Sequence, residues 1–177
     1  MEERRRLHGT LTQNLVALGV IFVAFWISDV APGQPVHSMP DEEPWIAPLR
    51  AVDEALDRHG VAAAERAWRE AYGQAQASRR WEGWIAVGDA SLRIGRVDGQ
   101  RSVAESRARA AYLAALFRAR QQQTVDGVLR TAHAFADLGD REVVAQCLVV
   151  ARELAQQTGD TEAEARVRAL AGRLTAR

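Results

Sequence analysis

From residue 49 to the end of the chain, apolar positions recur every three or four residues, the spacing of one face of an α-helix. A period of two, which would indicate a half-buried strand, is absent, and no proline follows Pro48. Alanine, arginine, leucine, glutamate and glutamine dominate, and all are good helix formers. The pattern predicts an all-α domain of about seven antiparallel helices. The apolar stripes occupy residues 49–56, 64–75, 81–95, 103–116, 125–138, 143–154 and 163–174.

Residues with special backbone or capping preferences predict where these helices begin and end. Glycine readily adopts the left-handed conformation that closes many helices. The glycines at predicted ends are Gly60, Gly95, Gly139 and Gly159. Ser102 with Glu105, and Thr161 with Glu164, match the S/T-x-x-E capping box that satisfies free amides at a helix start. These signals predict short turns between consecutive helices.

The uncharged stretch at residues 11–27 contains a continuous apolar run at 15–27. Such a run is compatible with a helix that spans a thin bilayer or with a signal peptide that is removed. Cleavage after Ala31 would place Asp29 where a small residue is required. The sequence therefore favours an uncleaved transmembrane helix at 11–28 over a signal peptide or a buried helix of a soluble protein. The predicted anchor residues are Leu15, Val20, Ile21, Phe22, Phe25, Trp26 and Ile27.

Charges around this run predict its orientation in the membrane. Arg4, Arg5 and Arg6 precede the run, and acidic residues follow it, which matches the excess of basic residues on the cytoplasmic side of membrane proteins. Residues 1–10 would then be cytoplasmic and the remaining chain periplasmic. All 23 basic residues are arginines, and with the abundant alanine this indicates a GC-rich bacterial source. We expect a single-pass protein of a bacterial inner membrane.

All five prolines precede residue 49, and they are too dense for a regular helix. They are Pro32, Pro35, Pro40, Pro44 and Pro48. They predict an extended spacer at 29–48, which joins the anchor to a helical domain at 49–177. Trp45 is the largest apolar residue of this spacer. It has two interpretations: the indole packs on the first helix of the domain, or it contacts the membrane interface or a partner protein.

Composition and motifs argue against several classes of function. The 23 basic and 23 acidic residues cancel, whereas a nucleic-acid-binding protein normally has a clustered basic excess. The single cysteine, Cys147, excludes an intramolecular disulfide and a cysteine-based zinc site, and it falls in an apolar stripe. No glycine-rich phosphate loop, G-x-S-x-G or HExxH motif occurs, and His133 is expected to be a solvated or hydrogen-bonded helix residue. We expect a protein without catalytic residues, cofactor, metal or nucleic-acid partner.

Two related motifs occur in the helical region. One reads Trp84-x2-Val87-Gly88-x2-Ser91-x3-Gly95, and a looser copy is formed by Val128, Ala132, Phe135 and Gly139. The other has an aromatic residue between two alanines, at Ala64, Trp68 and Ala71 and again at Ala108, Tyr112 and Ala115. Together they resemble the first and second helices of the tetratricopeptide repeat. The resemblance covers residues 49–177 and implies a solenoid of helical hairpins that ends in a capping helix.

The sequence departs from the tetratricopeptide pattern at several positions. Ser91 replaces the expected aromatic residue, and the proline that usually closes each repeat is missing. The interval from Gly95 to Ala108 is about eight residues longer than in the family. We interpret this excess as a loop at 96–101 together with one extra helical turn.

The resemblance and the predicted anchor together imply a role in protein binding, because solenoids of this kind present extended binding surfaces. We expect a non-catalytic accessory or stabilising subunit of a respiratory, photosynthetic or translocation complex, in contact with other subunits and with membrane lipid. The alternative is a membrane-tethered periplasmic chaperone or peptide-binding module. Trp81 and Trp45 are the candidate aromatic contacts to a partner. The sequence leaves the oligomeric state open.

Overall fold

The domain is built from short helical hairpins, seen in a computed structural model that describes residues 43–175. These residues form seven α-helices and no strand, so the prediction of an all-α domain is confirmed for this part of the chain. The result is a helical repeat-like domain. The helices are α1 Ile46–Asp57, α2 Val61–Ser78, α3 Trp81–Asp98, α4 Arg101–Gln121, α5 Val125–Asp137, α6 Arg141–Thr158 and α7 Thr161–Thr175.

Each of the six turns between these helices contains one residue with a positive φ angle, which reverses the chain within two or three positions. Glycines occupy this position in the three turns at Gly99, Gly139 and Gly159. Non-glycine residues occupy it in the other three turns, at His59, Arg79 and Gln123. A left-handed residue at this point lets its neighbours bond to the last carbonyls of the helix, which explains why the turns are so short.

The predicted left-handed glycines at helix ends are found at Gly139 and Gly159, but not at the other two positions. Gly60 has a φ of −89° and precedes α2, while His59 adopts the left-handed conformation. Gly95 lies inside α3, which continues to Asp98. The predicted loop at 96–101 is therefore also wrong, because α3 and α4 are long helices separated only by Gly99 and Gln100.

The predicted capping boxes are not formed. Ser102 lies within the first turn of α4, whose cap residue Gln100 makes no side-chain cap bond. At α7 the cap is one residue earlier than predicted, since the Asp160 carboxylate accepts a 2.8 Å hydrogen bond from the amide of Ala163. An aspartate performs this role as well as serine or threonine does, so the helix start is close to the prediction although its capping residue differs.

The helical domain starts earlier than the predicted boundary at residue 49. Helix α1 begins at Ile46, and Pro48 lies in its first turn. Proline is tolerated there because the amides of a first turn have no carbonyl partner within the helix. Trp45 is only 3% exposed. The end of the predicted proline-rich spacer therefore belongs to the packed domain.

The helices form two layers. Consecutive helices pack as antiparallel neighbours, and in addition α1 contacts α3, α3 contacts α5, and α5 contacts α7. The even-numbered helices make no comparable contacts with one another. The odd-numbered helices therefore form one layer, in which each helix approaches its counterpart in the next hairpin, and the even-numbered helices form the other. We call the solvent-exposed side of α1, α3, α5 and α7 the odd-helix face.

Small residues let α3 and α4 pack closely against each other. Gly88 of α3 lies against the ring of Tyr112, so closely that a Cβ at position 88 would be 2.8 Å from Cδ1 of that ring. Tyr112 also meets Phe135 of α5 edge-to-face, at 5.7 Å between ring centroids. Both aromatic side chains are 1% exposed. This cluster connects three helices at the centre of the main hydrophobic core.

Candidate functional site

The odd-helix face contains a groove between α5 and α7, with a volume of about 260 Å³. Its floor is apolar, from Leu129 and Leu170, which are 8% and 2% exposed. Its walls are polar and mostly basic. Residues three or four positions apart on each helix line it, since this spacing places side chains on one side of a helix. The wall residues are Asp126, Arg130, His133, Arg166 and Arg173.

The charges of this α5–α7 groove are not balanced. Arg166 forms an ion pair with Asp126 across the groove. Arg130 and Arg173 make no ion pair or hydrogen bond within residues 43–175. Partial burial, and next the charge of Arg173, lower the pKa of His133, with Arg130 acting in the same direction and Asp137 opposing it. The positive field disfavours the imidazolium form, as expected beside like charges. The groove is therefore suited to a negatively charged group.

Two further contacts hold the centre of the odd-helix face in place. Arg93 of α3 pairs with Asp53 of α1 at 2.8 Å. The Tyr112 hydroxyl, which comes from α4 beneath the face, donates a 2.6 Å hydrogen bond to the Asp89 carboxylate. Burial, and next the bond to Asp89, raise the pKa of Tyr112. The phenol thus stays protonated and donates to Asp89, so this carboxylate has a hydrogen-bond partner inside the domain.

A groove of about 420 Å³ lies between α2, the end of α3 and the start of α4. Arg107 bonds to Glu65 at 2.7 Å, and its guanidinium lies 5.2 Å from the centroid of the Trp68 ring. Ser91 donates a hydrogen bond to the Ala104 carbonyl at 3.3 Å. Since these polar groups already have partners, this groove is less suited to a charged ligand than the α5–α7 groove.

The two tryptophans predicted to contact a partner lie in different environments. Trp45 packs against the first turn of α3, where a Cβ on Gly83 would be 2.9 Å from Cε3 of its indole. This burial favours packing within the domain over docking, although the contact is with α3 rather than the first helix. Trp81 is partly buried against the main core, where its Cδ2 would be 3.0 Å from a Cβ on Gly127. Part of its indole remains accessible. Trp84, in contrast, is a core residue with 7% exposure.

The predicted transmembrane helix and its anchor residues lie outside the described residues, as does most of the predicted spacer. Between residues 43 and 175, no helix combines the length and the apolar character that crossing a bilayer requires. Within the same range, no group of three or more His, Cys, Asp or Glu side chains is arranged to hold a metal ion.

Cys147 is a fully buried core residue, as its apolar stripe predicts. Burial raises the pKa of its thiol to about 11. Since the thiolate is the reactive form, we expect a thiol reagent at pH 8 to modify the native protein far more slowly than the unfolded protein. The reaction is followed by absorbance with and without 6 M urea. Full modification of the native protein within seconds would contradict this assignment.

Sequence reasoning did not identify the basic groove between α5 and α7. Arg130 and His133 are one turn apart on α5, and Arg166 and Arg173 are two turns apart on α7, so each helix alone shows a weak basic stripe. The two stripes lie 33 or more positions apart in sequence, and only the packing of α7 on α5 brings them together.

No family model, curated protein or solved structure matches this chain.

Proposed function

We propose that this chain is a non-catalytic accessory subunit of a bacterial membrane protein complex. Residues 11–28 would anchor it in the inner membrane, with residues 1–10 in the cytoplasm and a tetratricopeptide-like domain in the periplasm. The domain would bind a partner polypeptide along its odd-helix face. The observation behind this proposal is the α5–α7 groove, in which an apolar floor lies between arginines that lack an acidic partner in the described residues.

The groove defines the chemistry of the proposed partner. A volume of about 260 Å³ accommodates one or two side chains. The floor formed by Leu129 and Leu170 suits an apolar side chain, and Arg130 and Arg173 suit a neighbouring carboxylate. We therefore propose a partner segment in which an acidic residue is adjacent to an apolar one. Arginine is well suited to this contact because its planar guanidinium can bond both oxygens of a carboxylate.

Replacing Arg130 and Arg173 together by glutamine is expected to weaken the partner's binding about tenfold, since two exposed ion pairs are lost. The tagged full-length protein would be extracted in mild detergent, and the co-purifying subunits quantified by mass spectrometry. Arg152→Gln, an exposed arginine on α6, is the matched control and should leave the partner's yield unchanged. An equal yield from all three proteins would contradict the proposed groove.

The same experiment separates the accessory subunit from a periplasmic chaperone. An accessory subunit recovers one complex in fixed stoichiometry, whereas a chaperone recovers many unrelated proteins in small amounts.

His133 provides an independent measurement, because a carboxylate in the groove would offset the arginine charges and raise the pKa of His133. An NMR titration of its ring with and without the recovered partner would detect that rise. An unchanged pKa with the partner bound would place the contact elsewhere.

A further inference from the structure

Helix α4 has an exposed stripe that the core and the grooves do not use. Its members recur at helical spacing along one side of this 21-residue helix. Leu113 and Phe117 are 52% and 57% exposed, which is unusual for large apolar side chains that lie next to each other. Glu105 is the only acidic residue of α4, and none follows it up to Gln121. The exposed stripe consists of Ser106, Ala110, Leu113, Phe117 and Arg120.

Arginines surround the C-terminal end of this α4 stripe. The Arg118 guanidinium lies 5.7 Å from the ring centroid of Phe117, and Arg120 is exposed one turn beyond Leu116. The side chain of Gln122 donates a 3.1 Å hydrogen bond to the carbonyl of Arg79. The turn between α2 and α3, which contains two consecutive arginines, is therefore adjacent to the end of α4. The apolar side chains of the stripe thus lie next to a locally basic end of the domain.

Two acidic side chains near this end share one arginine as their partner. Arg80 pairs with Glu43 at 2.6 Å and with Glu82 at 3.0 Å. Both carboxylates are thus bound to Arg80, and the basic excess at this end comes from Arg118 and Arg120. Because Glu43 is bound at this end of the domain, the 42 residues that precede it must join the domain there. Those residues include the predicted membrane anchor at 11–28.

Exposed leucine and phenylalanine beside arginines, without acidic residues, characterise helices that lie on anionic membrane surfaces. We propose that the C-terminal half of α4 docks on an anionic phospholipid surface. Leu113 and Phe117 enter the headgroup layer, while Arg118 and Arg120 bind lipid phosphates. The inference rests on the proposed function, because the anchor brings the domain to the membrane. The docking of α4 further specifies which surface of the domain faces the lipid.

The test uses the full-length protein in vesicles and a fluorescent thiol label on Leu113→Cys. Val103→Cys is the matched control, because Val103 lies near the other end of the same helix and is 43% exposed. Cys147 is buried, so the unsubstituted protein gives the labelling background. In vesicles containing phosphatidylglycerol, we expect an aqueous quencher to reach the label at 113 several-fold less often than the label at 103. In pure phosphatidylcholine, both labels should be equally accessible.

Arg118→Gln and Arg120→Gln each provide a second measurement in the background of Leu113→Cys. Each substitution is expected to shift the equilibrium about fivefold toward the undocked state, since each arginine loses its attraction to the anionic surface. Equal quenching at 113 and 103 in anionic vesicles would overturn the docking and leave the anchor intact. Equal protection of 113 in both lipids would indicate a protein contact instead and would also overturn it. A chain that does not float with any vesicle would overturn the anchor and the docking together.

Discussion

Replacing Phe135 by alanine is expected to lower the free energy of unfolding by about 3–5 kcal/mol. The side chain is 1% exposed and meets Tyr112 edge-to-face, so its removal leaves a cavity among three helices. The cavity cannot close easily, because Tyr112 is held by its hydrogen bond to Asp89 and by contact with Gly88. Urea denaturation followed by circular dichroism measures the loss.

Phe117→Ala is the matched control for this prediction. It removes the same side chain from a position that is 57% exposed, so we expect a change below about 0.5 kcal/mol. The two variants also separate the effects on stability and membrane docking, because only Phe117 belongs to the α4 stripe. Equal losses of stability from Phe135→Ala and Phe117→Ala would contradict the packing described for α5.

Gly95→Ala is expected to destabilise the domain by about 2 kcal/mol, although alanine is the better helix former. A Cβ at position 95 would overlap the Cβ of Ala104 in the first turn of α4. Neither atom can rotate away, because a Cβ is fixed to the backbone. The helices α3 and α4 must therefore separate, and the contacts of Tyr112 with Gly88 loosen as a result.

Two controls isolate the steric origin of this effect. Gly73 also lies inside a helix, but no atom would be within 4 Å of its added Cβ. Gly73→Ala should therefore stabilise the domain by about 0.5–1 kcal/mol. Adding Ala104→Gly to Gly95→Ala should recover most of the lost stability. Urea titrations of the unsubstituted protein, the two single variants Gly95→Ala and Ala104→Gly, and the double variant form a double-mutant cycle. If Gly95→Ala stabilises the domain as Gly73→Ala does, the close approach of α3 and α4 is wrong.

The two proposed surfaces share no residue. The partner groove uses exposed side chains of α5 and α7, whereas the lipid-facing stripe uses α4. An antiparallel hairpin allows this division, because each helix presents one side to the core and another to solvent. In the proposed function, the domain could thus bind lipid and partner simultaneously, with the buried Tyr112 of α4 supporting Asp89 on the odd-helix face.

The sequence alone determined the all-α class and the order of the seven helices, because apolar spacing depends only on which face of each helix is buried. Gly139 and Gly159 were identified as helix ends for a similarly local reason, since glycine adopts a positive φ without steric cost. In the same way, the apolar stripe in which Cys147 occurs indicated that this residue is buried in the core.

Tertiary packing determined several features that these local rules could not predict. Gly95 was expected to end a helix, but α3 continues through it, because the close packing against Ala104 requires a glycine there, and Gly99 reverses the chain instead. His59, Arg79 and Gln123 adopt left-handed conformations because the packing of adjacent helices requires a tight turn there. Trp45, in a proline-rich stretch, is buried only because α3 offers a glycine beneath its ring. The α5–α7 groove likewise depends on a contact between helices distant in sequence, which periodicity along one helix cannot encode.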